Sequence, residues 1–352
     1  MRREGHIVIT GGAGFLGTNI AKALGERGDE ILLFDNLCRL HVRENVAWLQ
    51  QHHGDRLSLR VGDVRNAEAV ADAVGGARAV IHLAAQVAVT ASVENPVDDF
   101  EVNARGTLNV LEAVRRHAPE APVLFASTNK VYGKIISFEA LAREGLRYLP
   151  REEEAAAGFD EATPLSLYSP YGCSKGSADQ YVLDYARIYG LKTAVFRMSC
   201  LYGPHQFGTE DQGWVAHFVI SALNGDLISI YGDGYQVRDV LYAEDAVRAW
   251  LLALDNIDAV AGRVFNLGGG PENTLSLREL LRHIERMEDR APTVSFHDWR
   301  PGDQPWYVSN TSAIEAALGW RANVDVHTGL THLRNWLVEH GMARERPREA
   351  VA

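Results

Sequence analysis

The sequence predicts an α/β protein: a doubly wound parallel sheet joined to a smaller, mixed α/β lobe. Three observations predict it. Short, continuously apolar stretches alternate with helix-forming segments through the first two hundred residues, which is the pattern of strands buried on both faces. A glycine-rich turn, Gly11-Gly12-Ala13-Gly14-Phe15-Leu16-Gly17, joins the first such stretch to a helix. Beyond Arg197 the regular alternation gives way to turns such as Tyr202-Gly203-Pro204 and Gly232-Asp233-Gly234, where a second lobe begins.

Taken in order, His6-Ile7-Val8-Ile9-Thr10 is a strand, and the residues after Gly17 continue as a helix through Leu24. Strand, glycine turn and helix form the context in which backbone amides approach a pyrophosphate at a positive helix N-terminus. In this Rossmann pattern a second strand, Glu30 to Phe34, ends at Asp35, where a carboxylate accepts ribose hydroxyls. That carboxylate repels a ribose phosphate and favours NAD over NADP, while Arg39 keeps the second option open. Ser58–Val61 ends in Gly62-Asp63-Val64, Ala67–Val74 is a helix, and Ala79-Val80-Ile81-His82-Leu83 is the next strand. Ligands of such sheets lie beyond the carboxyl ends of the strands, so Asp63, Ala84 and Ala85 should line the crevice. A helix running through Asn103 to Ala113 follows, with Asn103 as a cap or a polar contact. Val123–Ala126 then delivers Ser127-Thr128-Asn129-Lys130 to the same edge, where Thr128 can hydrogen-bond a reacting oxygen.

Residues 134–165 show little periodicity and read as an excursion over the site. The stretch Ser169-Pro170-Tyr171-Gly172-Cys173-Ser174-Lys175 opens a helix that Gly190 should stop. Residues four apart share a helix face, so Tyr171 can act as a base on an alcohol while the Lys175 charge lowers its pKa from about 10. Lys192–Arg197 is a further strand. Further on, Ile228–Tyr231 and Val237–Tyr242 are strands, and Arg238 either pairs with Asp239 or faces a ligand's phosphates. Ala246–Leu254 is a helix, Arg263–Leu267 a strand returning to the first sheet, and Leu277–Met287 a second-lobe helix. The division is 1–198 with 236–267 for the dinucleotide-binding part, 199–235 with 268–340 for the substrate lobe, and 341–352 as a tail.

A net charge of −11 excludes binding to a nucleic-acid backbone, which rests on Lys and Arg. No apolar run approaches the roughly 18 residues of a membrane span. The three cysteines, Cys38, Cys173 and Cys200, lack a metal-ligand spacing, and no leader precedes the first strand, so no metal and a cytoplasmic location are expected.

Together these motifs, with Asp63-Val64, His82-Leu83-Ala84-Ala85, Tyr171/Lys175 and Arg238-Asp239, resemble the extended short-chain dehydrogenase/reductase (NAD-dependent epimerase/dehydratase) family over nearly the whole chain. The resemblance implies a nucleotide-sugar epimerase with NAD held by Gly11, Gly14, Phe15, Leu16, Gly17, Asp35, Asn36, Arg39, Asp63, Val64, Leu83, Ala84, Ala85, Gln86 and Asn103. It implies Tyr171 as base, Thr128 as its partner at the substrate oxygen, and Lys175 bridging to the nicotinamide ribose. Gln86, Asn129, Cys200, Gln206, Arg238 and Arg300 are the implied substrate contacts, the two arginines at the diphosphate. Cys200 stands where many members have Asn, and Asn129-Lys130 stands where the family's dehydratases place Asp-Glu for eliminating water. Inversion at carbon 2 or carbon 4 uses the same apparatus. A dehydratase or reductase of the same fold and a catalytically silent NAD-sensing scaffold are the alternatives, and a homodimer is expected from the resemblance.

Overall fold

The computed structural model describes residues 5–300 and 302–342; most of the expected tail, 343–352, lies outside them. Seven parallel strands form the large sheet: β1 (His6–Thr10), β2 (Ile31–Asp35), β3 (Leu57–Val61), β4 (Ala77–His82), β5 (Val123–Thr128), β6 (Thr193–Met198) and β7 (Arg263–Leu267). Their order is β7-β6-β5-β4-β1-β2-β3, so the winding reverses between β4 and β1. Thr10 lies level with Phe34 on one side and His82 on the other, which brings the carboxyl ends of β1, β2 and β4 to one edge at the switch point.

Side chains alternate across each strand. Ile7, Ile9, Leu33, Ile81 and Phe196 face a core shared with the helices Phe15–Glu26, Val42–His53 and Ala243–Asp255, while Val8, Phe34, Val80, Phe125 and Val195 face Ala67–Val74, Gly106–His117 and Ser169–Tyr189. Burial on both faces is why these strands read as unbroken apolar runs.

The small lobe is built around Val237–Tyr242. This strand, assigned by the sequence to the dinucleotide-binding part, pairs instead with Cys200–Tyr202, Thr274–Ser276 and Trp306–Tyr307. The chain returns to the large sheet only afterwards, as the Ala243–Asp255 helix and β7, which rejoins that sheet as expected and pairs there with β6. Ile228–Tyr231 pairs in parallel with Val294–His297, and Phe218, Ile230, Leu280, Leu330 and Leu333 make a separate core.

The 134–165 excursion contains an unexpected hairpin, Leu141–Glu144 with Arg147–Pro150. It docks on the small lobe: Arg147 donates twice to Glu279 at 2.6 Å, and Ser276 donates to the Leu146 carbonyl at 2.6 Å. Only Leu141 and Tyr148 of its strands are buried, so apolar patterning could not announce it. Among the described residues no helix is long and apolar enough to cross a membrane.

Candidate active site

At the glycine turn Gly11 has φ 68, and a Cβ there would lie 2.7 Å from the Ala84 nitrogen. A Cβ on Gly17 would lie 2.6 Å from the Gly11 carbonyl oxygen, so the helix packs directly on the turn. That helix begins at Phe15 with neither a side-chain cap nor an acidic residue in its first turn. The arrangement leaves its N-terminus for an anion.

Asp35 at the end of β2 accepts from Ala13 at 3.1 Å and Leu37 at 2.8 Å, while burial raises its pKa. Asn36 donates to Asp63 at 3.1 Å, and Arg65 grips the same carboxylate and holds it down at about 2. Val64 is buried beneath Gly106. Beyond β4, Leu83 donates to the Thr10 carbonyl and Ala84 to the Thr10 hydroxyl.

Asn103 does not cap a helix. It is fully buried in a π-helical turn, Glu101–Arg105. Its Oδ1 accepts from the Gln86 backbone at 2.9 Å, and its Nδ2 has the Gln86 carbonyl, Asp99 and the Ser174 hydroxyl within 3.1 Å. One amide therefore joins the loop after β4 to the Tyr171 helix. The Gln86 side chain folds back to donate to the Ala88 carbonyl at 2.7 Å.

His82, read from the sequence only as part of a strand and a motif, also joins the network. Its Nδ1 lies 2.6 Å from the Thr10 hydroxyl and its Nε2 lies 3.0 Å from the Thr107 hydroxyl. Thr107 donates to the Asn103 carbonyl, and Thr10 accepts from Ala84, which leaves one consistent assignment: Thr10 donates to Nδ1, and Nε2–H donates to Thr107. Burial and nearby Lys175 push the imidazole down to about 3, so it is neutral.

Ser169, with φ 77, opens the Ser169–Tyr189 helix and accepts from Gly172 at 3.2 Å; Gly190 ends it at φ 72, as expected. Asp179, two turns after Tyr171, is gripped by Arg197 at 2.9 and 3.0 Å and accepts from Ser127 at 2.8 Å. This buried pair fixes the helix to the ends of β5 and β6. Arg197 inside an otherwise apolar strand was the signal for it.

Tyr171 and Lys175 are both buried, and the Lys175 ammonium lies 4.2 Å from the centre of the Phe125 ring. The expected lowering of Tyr171 by Lys175 does not occur. Burial pushes the phenol up to about 12, opposed by a hydrogen bond with Thr128 and by Arg39. Burial pushes Lys175 down to about 7, against the pull of Asp179 and Asp99. For both groups burial outweighs the neighbouring charges. Thr128 also accepts from the Lys130 backbone at 3.2 Å, and Asn129 is buried beside it.

Across the cleft, Arg238 pairs with Asp303 at 2.6 Å rather than with Asp239, which turns away to accept from Ser199 and Gly270. Lys130 reaches the same Asp303 at 3.8 Å and donates to the Gly302 carbonyl at 3.3 Å. Cys200 belongs to this cluster: burial raises its thiol pKa, with Arg238 opposing, so it stays neutral. Arg300 pairs with Glu210 at 2.9 Å and stacks 3.7 Å over the Tyr231 ring, away from Arg238's carboxylate. Gln206 spends its amide on the Leu201 carbonyl at 3.1 Å and supports its own loop. Arg39 reaches over from the end of β2 to donate to Gln212, and Thr90 donates to Asp211 at 2.9 Å, so these contacts also bridge the cleft.

Fold and site together define a dinucleotide-binding protein of the doubly wound class, with a tyrosine and a lysine beside the cofactor crevice. The chain belongs to the NAD dependent epimerase/dehydratase family, whose profile matches residues 7–268, and NAD is its cofactor. It is 41% identical over 337 residues to the CDP-paratose 2-epimerase of Salmonella typhi, covering 94% of this chain and 98% of that protein. Among solved structures it is similar to the Thermus thermophilus UDP-glucose 4-epimerase in complex with NAD, with 32% identity, TM-score 0.79 and coverage of 95% and 99%. It is also similar to the dTDP-glucose 4,6-dehydratase of Streptomyces venezuelae with NAD bound, with 29% identity, TM-score 0.82 and coverage of 96% and 98%. The glycine cradle that a Cβ would fill, the uncapped helix end and Asp35 fit NAD.

Proposed function

We propose that the protein is a nucleotide-sugar epimerase that inverts carbon 2 of a CDP-hexose, as the Salmonella typhi enzyme's name describes. The 41% identity across nearly the whole chain carries this reading. The buried Thr128, Tyr171 and Lys175 beside the cradle support it. Bound NAD supplies the hydride acceptor and later the donor. In its phenolate form Tyr171 would take the hydroxyl proton, and Thr128 would hold the oxygen that becomes a ketone. Once the flat ketone has turned its other face, Tyr171 would give the proton back, and with the cofactor serving as both acceptor and donor the net redox change would be zero.

The large-sheet residues Gly11, Gly14, Phe15, Leu16, Gly17, Asp35, Asn36, Asp63, Val64, Leu83, Ala84, Ala85, Gln86, Asn103 and Lys175 would hold NAD, with Arg39 near its ribose. Arg238 would take the diphosphate, Arg300 would stand at its rim, and Asn129, Cys200 and the Gln206 loop would border the sugar. Two cations, Lys130 and Arg238, share one carboxylate, an imbalance that an anionic substrate relieves.

The active form is a homodimer in a cytoplasmic setting. Val97, Phe100, Tyr181 and Ile188 are exposed on the helices flanking Asn103 and Tyr171, an apolar surface suited to a second copy.

The test is to identify the dinucleotide released on denaturation and to incubate the native protein with CDP-, UDP-, GDP- and dTDP-hexoses in heavy water. A CDP-hexose inverted at carbon 2 without deuterium at that carbon is expected. Inversion at carbon 4, or a dehydrated product, overturns the substrate assignment; deuterium at the inverted carbon overturns hydride return.

A further inference from the structure

One segment of the small lobe reaches back across the cofactor crevice. After Tyr202 the chain first follows the large lobe, where Asn19 donates to the Pro204 carbonyl at 2.9 Å. Asn45 accepts from the His205 ring at 3.1 Å and donates to the Ala13 carbonyl of the glycine turn at 3.1 Å. The chain then doubles back between Gly208 and Gly213, with Thr209 and Gln212 exchanging backbone hydrogen bonds at 2.8 and 3.1 Å. A Cβ on Gly208 would lie 2.5 Å from the His217 nitrogen, and Gly213 has φ 74, so both ends of the turn are set against the Trp214–Asn224 helix. Glu210, Asp211 and Gln212 at its tip are exposed.

The tip is held from two sides. On the small lobe Arg300 donates to the Glu210 carbonyl at 3.0 Å and to its carboxylate at 2.9 Å, and the Tyr231 hydroxyl donates to the same carboxylate. On the large lobe Thr90 donates to Asp211 at 2.9 Å, and Arg39 donates to Gln212. Thr90 follows β4 and Arg39 follows β2, and in the sheet β1 with its glycine turn lies between those two strands. The turn therefore crosses the crevice from rim to rim. We propose that the Thr209–Gln212 turn is a strap that closes over bound NAD and retains it for the whole of a turnover. The proposal rests on the epimerase reading, because a reaction without net redox change needs its cofactor to stay from the first step to the last. The strap opens on its large-lobe side, where only solvent-exposed hydrogen bonds hold it and parting them uncovers no apolar core.

The test follows cofactor exchange rather than turnover. The native protein is mixed with excess radiolabelled NAD, label on the protein is counted against time, and hydrogen exchange of the 205–213 segment is followed in parallel. Thr90→Val keeps the side chain's shape and removes its hydrogen bond to a carboxylate, so the turn's amides should exchange faster and NAD about tenfold faster than in wild type. Gln212→Ala should add to the effect, and Thr90→Ser, which restores the hydroxyl, should return both rates to wild type. NAD exchange at the wild-type rate in Thr90→Val overturns the proposal, whether or not the turn loosens. Equal acceleration by Thr90→Ser overturns it as well, since the effect then belongs to the packing of Thr90 and not to its hydrogen bond. Failure to take up any labelled NAD removes the epimerase reading together with the strap, whereas bound NAD with unaltered exchange removes the strap alone.

Discussion

Removing the shared carboxylate of the Lys130–Asp303–Arg238 cluster and removing its lysine should have unequal consequences. Among the described residues Asp303 is the only carboxylate paired with Arg238 and Lys130, at 2.6 and 3.8 Å, and its side chain is 24% exposed. At an effective dielectric near 20, unit charges about 4 Å apart attract by roughly 4 kcal/mol. Part of that is screened by the exposed fraction, and part is recovered because burial already pushes the Lys130 ammonium down, so it can shed its proton when Asp303 is lost. Asp303→Asn should therefore cost about 2 kcal/mol, in line with losing a hydrogen bond to a charged group. Lys130→Met gives up one bond to the Gly302 carbonyl but leaves Arg238 and Asp303 as a balanced pair, so its cost should be under about 1 kcal/mol.

Thermal unfolding separates the two. With about 2.1 cal/mol/K of unfolding entropy per residue, 2 kcal/mol in a chain of 352 residues corresponds to a fall of about 3 °C. Cytidine diphosphate, added to wild type and both variants, should raise the midpoint of Asp303→Asn at least as much as that of wild type, because the anion meets Arg238 without its carboxylate and a Lys130 amine that can take its proton back. Equal destabilisation by the two substitutions refutes the surplus of positive charge. A smaller gain from the nucleotide in Asp303→Asn removes Arg238 from the diphosphate.

Tyr171→Phe should keep its full complement of dinucleotide yet lose at least about 100-fold in turnover, followed by NMR of the sugar; retained turnover dismisses the phenol as base. In Gly17→Ala the new methyl meets only backbone, 2.6 Å from the Gly11 oxygen and 2.7 Å from the Gly12 Cα, so no rotamer change relieves it. The variant should lose about 1–3 kcal/mol and most of its bound dinucleotide, measured by release on denaturation; wild-type content would show that the cradle tolerates a side chain. His82 and His205 are held at about 3 and about 4 when folded, below the usual 6.5, so as pH falls below 6.5 the unfolded chain takes up protons that the folded one refuses. Stability should drop by about 2 kcal/mol per histidine between pH 7.5 and 5.0, a window above the titration of Asp63 and Glu112, both held at about 2. Identical urea midpoints at the two pH values rule this out.

What could be read in the sequence was local. The Ala67–Val74 helix has the expected bounds because Asn66 caps it, accepting from Glu68 and Ala69 at 3.1 Å, and that signal lies within three residues. The Val42–His53 helix went unread: it starts at His41 in the left-handed region, without a side-chain cap, and half of it faces solvent. Trp214–Asn224 likewise begins after a glycine that marks no start. Site residues within one motif, such as Tyr171 and Lys175, were visible for the same reason. Partners fixed by topology were not. Asp303 lies 65 residues from Arg238, and Asn103 meets Ser174 across 71, so neither pairing has a local trace. Lys175's effect on Tyr171 was misjudged because spacing carries no information about how dry the shared pocket is.

The residues after Thr128 bear on which reaction follows oxidation. Eliminating water from a keto-sugar needs one group to remove a proton from carbon and another to protonate the departing hydroxyl. Asn129 has no titratable proton, and the Lys130 ammonium is fastened to Gly302 and Asp303, toward Arg238 and the small lobe. Neither supplies the carboxyl pair that elimination calls for, which favours return of hydride over loss of water. Inversion further requires the sugar to turn while its nucleotide stays bound. The charge distribution suits this: Arg238 and Arg300 stand on the small lobe, whereas Tyr171 and Thr128 are fixed to the large sheet through Asp179, Arg197 and the end of β5. On the proposed roles, a diphosphate held by Arg238 and a hydroxyl held by Tyr171 and Thr128 leave the bonds between them as the axis of rotation.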